Sequence, residues 1–337
     1  MIRDSVPSNA GVARWLRLLV IAFSLCSAVW LWGLFRQGAW WAAILSGAVL
    51  MLLPGGFVAV QCLLAAGMRG RDGTPRASAT AWLRAFIAEV GWCMWLFGWV
   101  QPFCTHRWPD RLPEPACAGD KAPPASRGVV LVHGYTCGRG MWLPWLSALK
   151  KADISYISVD LVPIFGSIEH YAPLIDAAIH RMQAATGFAP LVVAHSMGGL
   201  AVRAWWRWAR LHHGSSPEAT SARVHAVMTI GSPHQGTWLA RMGVTTNARQ
   251  MRIGGSWLRE LAAQEPEAWR QRFVCAYSNC DNVVFPPRVA VLEGSRALYV
   301  QGRAHLELAF DPLVRSTAMQ LLGDASGQAQ LSSSRRW

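Results

Sequence analysis

Residues 191–205 read LVVAHSMGGLAVRAW. An apolar run (Leu191, Val192, Val193, Ala194) stops at His195-Ser196-Met197-Gly198-Gly199, and a new apolar pattern starts at Leu200. A serine held on a sharp strand-to-helix turn presents its hydroxyl at the helix N-terminus. Such a turn crowds the backbones around it and needs small residues two before and two after the serine. Those positions are Ala194 and Gly198. Ala replaces the usual Gly at the first, a mild departure, since Ala is the next smallest side chain. A Gly-rich turn that happens to contain serine fits the same five residues, so the surroundings decide.

The surroundings alternate. Short apolar, β-rich runs occur at GVVLVHG (128–134), ISYISVDL (154–161), PLVVAHS (190–196), VHAVMTIGSP (224–233), RFVCAYS (272–278) and ALYVQG (297–302). Helical patterns separate them, at about 141–151, 168–186, 197–212, 256–270 and 306–322. Strands alternating with helices predict an α/β fold with a mostly parallel sheet of about six strands, covered by helices on both faces.

The first third is different. The chain of 337 residues is 52% hydrophobic and 15% charged, with 19 Trp. That is too apolar for an ordinary soluble protein, and the excess lies before residue 105. Leu18–Phe35 and Gln37–Met68 carry no charge. A bilayer core takes about 20 apolar residues in a helix, so spans are expected at about 16–35 and 39–67, joined as a transmembrane helical hairpin at Arg36, Gln37 and Gly38. The first apolar region is too long for a signal peptide and no A-x-A site follows it; Leu25 before Cys26 is too large for a typical lipoprotein site. The hairpin reads as an anchor. Arg3, Arg14 and Arg17 precede it, Arg69, Arg71 and Arg76 follow it, and only Arg36 lies between. The positive-inside rule then puts both ends in the cytoplasm, a multi-pass inner-membrane protein whose second part faces the cytoplasm.

Phe86–Phe103 is apolar apart from Glu89 and Gln101, with Trp92, Trp95 and Trp99 on one helical face. It reads as an interfacial or re-entrant helix or as a third span. The interfacial reading is preferred, because Trp favours the headgroup level and Glu89 is costly in a bilayer core. Residues 1–104 are thus expected to be membrane-anchoring helices, 105–127 a Pro-rich linker, 128–322 the α/β domain and 323–337 a disordered tail. The linker predicts few contacts across the boundary, so that the helices deliver substrate without touching the chemistry.

Net charge is +13, which suits an anionic lipid surface or a nucleic acid. The apolar segments favour the bilayer as partner, and no nucleic-acid motif is present. Trp205, Trp206 and Trp208 interleaved with Arg203, Arg207 and Arg210 predict a core-packed helix with one basic face, or that face on anionic headgroups. Cys26, Cys62, Cys93, Cys104, Cys117, Cys137, Cys275 and Cys280 form no C-x-x-C or zinc spacing. Cys104–Cys117 and Cys275–Cys280 pairs stay open. No metal or cofactor is implied.

Four separated pieces resemble the α/β-hydrolase superfamily, in its lipase/esterase (triacylglycerol-lipase-like) branch: LVHGY (131–135), AHSMGG (194–199), IGSPHQGT (230–237) and QMRIGGSWLREL (250–261). The resemblance covers residues 128–322 in order and spacing. It implies a serine nucleophile followed along the chain by an acid and then a histidine. A serine hydroxyl is a poor nucleophile until a base takes its proton, and a carboxylate must orient that base. Ser196 is the candidate nucleophile. In RFVCAYSNCDNVVFPP (272–287), Asp281 is the candidate acid, with Glu293 and Asp311 as alternatives. His305, closing ALYVQGRAH, is the candidate base. The backbone N–H groups of Met197 and Tyr135 are the candidate oxyanion donors. His133 and His195 are expected to orient backbone, His234 to pack a loop, and His212 and His213 to end a solvated helix. The activity the resemblance implies is cleavage of carboxylic esters, lipid acyl esters foremost, through an acyl-serine intermediate. An acyltransferase with an alcohol acceptor, or a catalytically silent membrane scaffold of the same fold, fits the same residues. The substrate and the oligomeric state are not legible.

Overall fold

Six runs of β-branched and apolar residues form the strands β1 (Val129–Val132), β2 (Tyr156–Val159), β3 (Leu191–His195), β4 (Ala226–Ile230), β5 (Phe273–Tyr277) and β6 (Arg296–Tyr299). The structure is a computed structural model and describes residues 10–68, 72–105, 108–113 and 126–323. The strands make one sheet in the order β2-β1-β3-β4-β5-β6, parallel throughout. β1 to β5 are buried along their whole length. That is why they read as continuous apolar runs: helices cover both faces. Alternate residues enter different cores, Val130, Val132, Val192 and Ala194 on one face and Val129, Leu131, Leu191 and Val193 on the other.

The expected helices are present with local breaks. The pattern at 256–270 splits into Ser256–Gln264 and Glu267–Arg270 around Pro266, and that at 306–322 into His305–Leu308 and Pro312–Gly323. Proline accounts for both breaks, since its ring excludes the preceding residue from helical backbone. Met197–His213 is core-packed as predicted: Trp205 and Trp206 are buried, and Arg203 is buried in an ion pair with Glu265 at 2.6 Å. Removing one partner of such a pair strands the other charge, at a cost of about 3–5 kcal/mol. Its neighbours Arg207 and Arg210 are taken up by Glu169 and by the Trp206 ring.

Ahead of the sheet lie α1 (Ala10–Arg36), α2 (Trp40–Gly67) and α3 (Ala79–Cys93). α3 runs on as a π-helix, Met94–Val100, and a last turn, Gln101–Phe103. Gly38, at φ +72°, makes the tight connection between α1 and α2; a side chain there would be strained. The Ser78 hydroxyl caps α3 by accepting from the Ala81 N–H at 3.1 Å, which replaces one missing intrahelical partner. Among the described residues two helices, Ala13–Arg36 and Ala79–Phe103, are long and apolar enough to cross a membrane. A third joins them if α2, bent by 47° between Trp40–Leu50 and Gly55–Gly67, is one span.

The expected scarcity of contacts across the boundary is not what the structure holds. Leu96, Val100 and Cys104 sit in one core with Val129, Leu131, Met141, Trp142 and Trp145. Val58, Cys62, Trp82 and Ala85 share another with Cys280, Phe285 and Ala304. The tryptophans read as an interfacial face divide: Trp92 stacks on Phe310 at 4.2 Å and Trp95 meets it edge-on, while Trp99 is exposed. Part of the predicted linker is docked as well. Arg111 exchanges backbone hydrogen bonds with Tyr156 at the β2 edge, and Asp110 pairs with Arg139 and Arg181. Cys117, Arg3, Arg69, Arg71 and the tail after Gly323 lie outside the described residues. Cys104, Cys275 and Cys280 carry free thiols, so the Cys275–Cys280 pair does not form.

Candidate active site

β3 ends at His195 and the helix begins at Met197, so a single residue, Ser196, turns the chain. It does so at φ +55° and ψ −129°. A non-glycine residue held there costs about 1–3 kcal/mol and persists only where its surroundings over-determine it. The surroundings do. A Cβ on Gly198 would lie 2.6 Å from the carbonyl oxygens of both Val132 and His133. One on Gly134 would lie 2.7 Å from the Ser196 Cβ. Small residues are obligatory at this crossing of β1 and β3, and Ala194 meets the same demand within the buried strand.

The loops after β5 and β6 bring Asp281 to His305. Both Asp281 carboxylate oxygens are 3.0 Å from His305 Nδ1. Oδ1 also accepts from the N–H groups of Val283 and Val284, at 2.9 and 2.8 Å. The carboxylate is therefore fixed by backbone before it orients the ring. The carboxamide oxygen of Asn282 accepts from the His305 N–H at 3.1 Å and ties the two loops together. Burial alone would depress the His305 imidazole. The Asp281 charge and hydrogen bond, with a smaller contribution from Glu89, more than offset it, and its pKa lies above the usual 6.5. The alternatives are elsewhere. Glu293 is exposed, and Asp311 pairs with Arg303 at 2.6 Å while capping the last helix through the Leu313 N–H.

Met197 opens its helix, so its N–H has no intrahelical acceptor. Tyr135 lies in the loop after β1, where Thr136 has φ +58°. Tyr135 faces the same space as Ser196 and His305: a cavity of about 390 Å³ lined by Gly134, Tyr135, Ser196, Leu239, Val283 and His305 on one side. The other side comes from the N-terminal helices, through Phe57, Val58, Gln61, Glu89, Cys93 and Phe97. None of these six was expected at the site. The sequence carried one trace of this packing, the polar Gln61, Glu89 and Gln101 in otherwise apolar stretches.

Each of those three reaches a loop of the site. Asn282 Nδ2 donates to Gln61 Oε1 at 2.9 Å. The Leu306 N–H donates to the Glu89 carboxylate at 2.9 Å, and the Glu307 N–H at 3.4 Å. Gln101 Nε2 donates to the Thr136 carbonyl at 2.9 Å.

The other histidines do what the sequence suggested. The Leu161 N–H donates to His133 Nε2 at 3.0 Å, which leaves Nδ1–H to donate to the Gly134 carbonyl at 2.9 Å. His195 Nε2 donates to the His305 carbonyl at 3.2 Å. Burial, and then the nearby His305, hold His195 well below the usual imidazole range. His234 is buried and meets Thr229 Oγ1 at 2.9 Å. His212 and His213 are exposed at their helix end. Among the described residues no group of His, Cys, Asp and Glu is arranged to hold a metal ion.

A protein-family model described as an alpha/beta hydrolase family matches residues 129–331. Comparison with curated proteins finds no match. Among solved structures, the mature form of the Bacillus licheniformis lipase BlEst2 is similar, at 17% identity and TM-score 0.51, over 63% of this chain and 97% of that one. The propeptide form of the same lipase gives 17% identity and TM-score 0.51, over 65% of this chain and 54% of that one. At this identity the likeness is one of fold. The family match covers more than half of the chain, on the sheet and loops just described, and the chain belongs to the alpha/beta hydrolase family.

Proposed function

We propose that the protein is a membrane-anchored serine esterase that cleaves acyl esters of lipids. The observation that carries this reading is the Asp281–His305 pair, with both carboxylate oxygens 3.0 Å from Nδ1, on the same apolar cavity as the strained Ser196. Asp281 holds the proton on Nδ1, which leaves Nε2 free to take the Ser196 hydroxyl proton as Oγ attacks the ester carbonyl carbon. The N–H groups of Met197 and Tyr135 receive the oxyanion. His305 then gives its proton to the leaving alcohol; water, deprotonated in turn by His305, attacks the acyl carbon, and that proton passes to Ser196 Oγ as the acid is released. Phe57, Val58, Phe97 and Leu239 give the acyl chain an apolar bed.

The pH dependence tests the acid and base together. His305 must be neutral to accept a proton, and its pKa is raised above 6.5. Activity is therefore present above that raised value and lost as pH falls through it. The acid limb of kcat/KM on a soluble nitrophenyl ester is expected above pH 6.5. Asp281→Asn removes the charge that raises it, so the limb moves to lower pH while kcat drops about 10²-fold or more. A limb that stays in place in that variant assigns the acid to another residue.

Arginine on both flanks of the α1–α2 hairpin, with only Arg36 between, supports a cytoplasmic hydrolase domain. α3 supports an interfacial seat: Trp82, Ala85 and Glu89 face the hydrolase domain, while Leu83 and Ile87 are exposed. A reporter that works only in the cytoplasm, fused after residue 330, is expected to be active. A silent reporter with an active periplasmic one at the same place reverses the orientation.

A further inference from the structure

We infer that the N-terminal helices belong to the catalytic apparatus, with Gln61, Glu89 and Gln101 as positioning residues that hold the loops of Asp281, His305 and Tyr135 respectively. This rests on the serine-esterase reading and adds to it.

The three contacts are not scattered over the domain. Gln61 holds Asn282, the residue after Asp281. Glu89 holds Leu306, the residue after His305. Gln101 holds Thr136, the residue after Tyr135. Each side chain is buried, at 7%, 2% and 3% exposure. A polar group buried in an apolar helix costs free energy unless it is hydrogen-bonded, so these positions are kept polar by the loops they face. Loops open more easily than the strands they join, and misplacement of a reacting group by about 1 Å costs on the order of 10²-fold in rate. A brace on each loop, supplied by a segment more than a hundred residues away for the acid and the base, removes that freedom. Glu89 adds charge as well as shape where it is ionised: burial raises its carboxyl to about 7, against the opposing pull of His305 and of the Leu306 and Glu307 N–H groups. The groups facing His305 are Asp281 from its loop, Glu89 from α3 and His195 from the end of β3; the thiols of Cys62, Cys93 and Cys137 share the neighbourhood of Glu89. A carboxylate beside the imidazole favours its protonated form, the form the reaction creates when Ser196 gives up its proton.

The test uses the full-length protein in detergent micelles, with Gln61→Met, Glu89→Gln and Gln101→Met, which keep volume. Asp72→Ala serves as the comparison. It removes another contact of the N-terminal segment, to the Arg288 N–H on the short helix Pro287–Ala290, past the turn that carries Asp281. On a soluble nitrophenyl ester, each brace variant is expected to lose about 10–100-fold in kcat, with KM within about twofold of the parent. Asp72→Ala should stay within about twofold in both. Glu89→Gln should also move the acid limb of kcat/KM to lower pH, and Gln101→Met should weaken a boronate that mimics the tetrahedral intermediate in step with kcat. A role in folding alone moves neither of these. Brace variants with parental kcat, or an Asp72→Ala loss as large as theirs, overturn the inference. If the parent protein forms no Ser196 adduct with a fluorophosphonate and cleaves no ester, the serine-esterase reading itself fails, and that result is separate from any of the variants.

Discussion

Replacing Ser196 by alanine is expected to lower ester turnover by on the order of 10³-fold or more, with the fold intact. Alanine removes one oxygen and adds nothing to a site where Gly198 and Gly134 already leave no spare room. It keeps the backbone at φ +55°, because the neighbours that impose that angle are unchanged. What is lost is the hydroxyl that shares the cavity with His305 at the turn into the Met197–His213 helix. His305→Ala should be as severe, since a serine without its base is as inert as no serine; in such units the single losses do not add. The measurement is kcat/KM on a nitrophenyl ester, with thermal unfolding as the control for integrity. Full activity in Ser196→Ala would remove the serine mechanism.

The second large effect is expected from deleting the N-terminal helices. A chain that starts at residue 105 keeps every residue of the Ser196, Asp281 and His305 loops, and on the sequence alone it should still cleave a short soluble ester. The structure predicts the opposite. Deletion uncovers Trp142 and Trp145, on which Leu96 and Val100 pack, and opens the cluster that Trp82 and Ala85 form with Cys280, Phe285 and Ala304. Each large apolar side chain taken from such a core forfeits about 1.5–3 kcal/mol, against a total stability of about 5–15 kcal/mol for a typical domain. It also removes the wall of the cavity from Phe57 to Phe97 and all three braces. The expected result is aggregation or, in detergent, a loss of at least about 10²-fold on the soluble ester. A well-folded truncation with parental turnover would mean that anchor and enzyme are independent after all.

The contrast between these two predictions marks where the sequence is legible. The sharp turn at Ser196 was readable because it imposes a local rule, small residues at 194 and 198, that appears within five positions. The sheet was readable because strands buried on both faces become short continuous apolar runs. The meeting of Asp281 with His305 was readable from chain order and from their place just after strands, on the strength of a family resemblance. The docking of α2 and α3 was not, because contacts such as Asn282 to Gln61 and Leu306 to Glu89 join residues more than 200 apart and leave no periodicity in either segment. An apolar helix face that meets lipid and one that meets Phe310 or Trp142 have the same composition. Only the interruptions told them apart. Glu89 looked like a reason to keep the helix out of the bilayer core, and its structural reason is a pair of backbone N–H groups beside His305.

The central claim, that Ser196 is the nucleophile of an ester hydrolase, is tested most directly by treating the full-length protein in detergent with a fluorophosphonate and mapping the adduct by peptide mass spectrometry. The account predicts one phosphonyl group on the peptide carrying Ser196, its formation slowed in His305→Ala and absent in Ser196→Ala. A protein that cleaves esters but carries no adduct on Ser196, or carries it on another serine, contradicts the account.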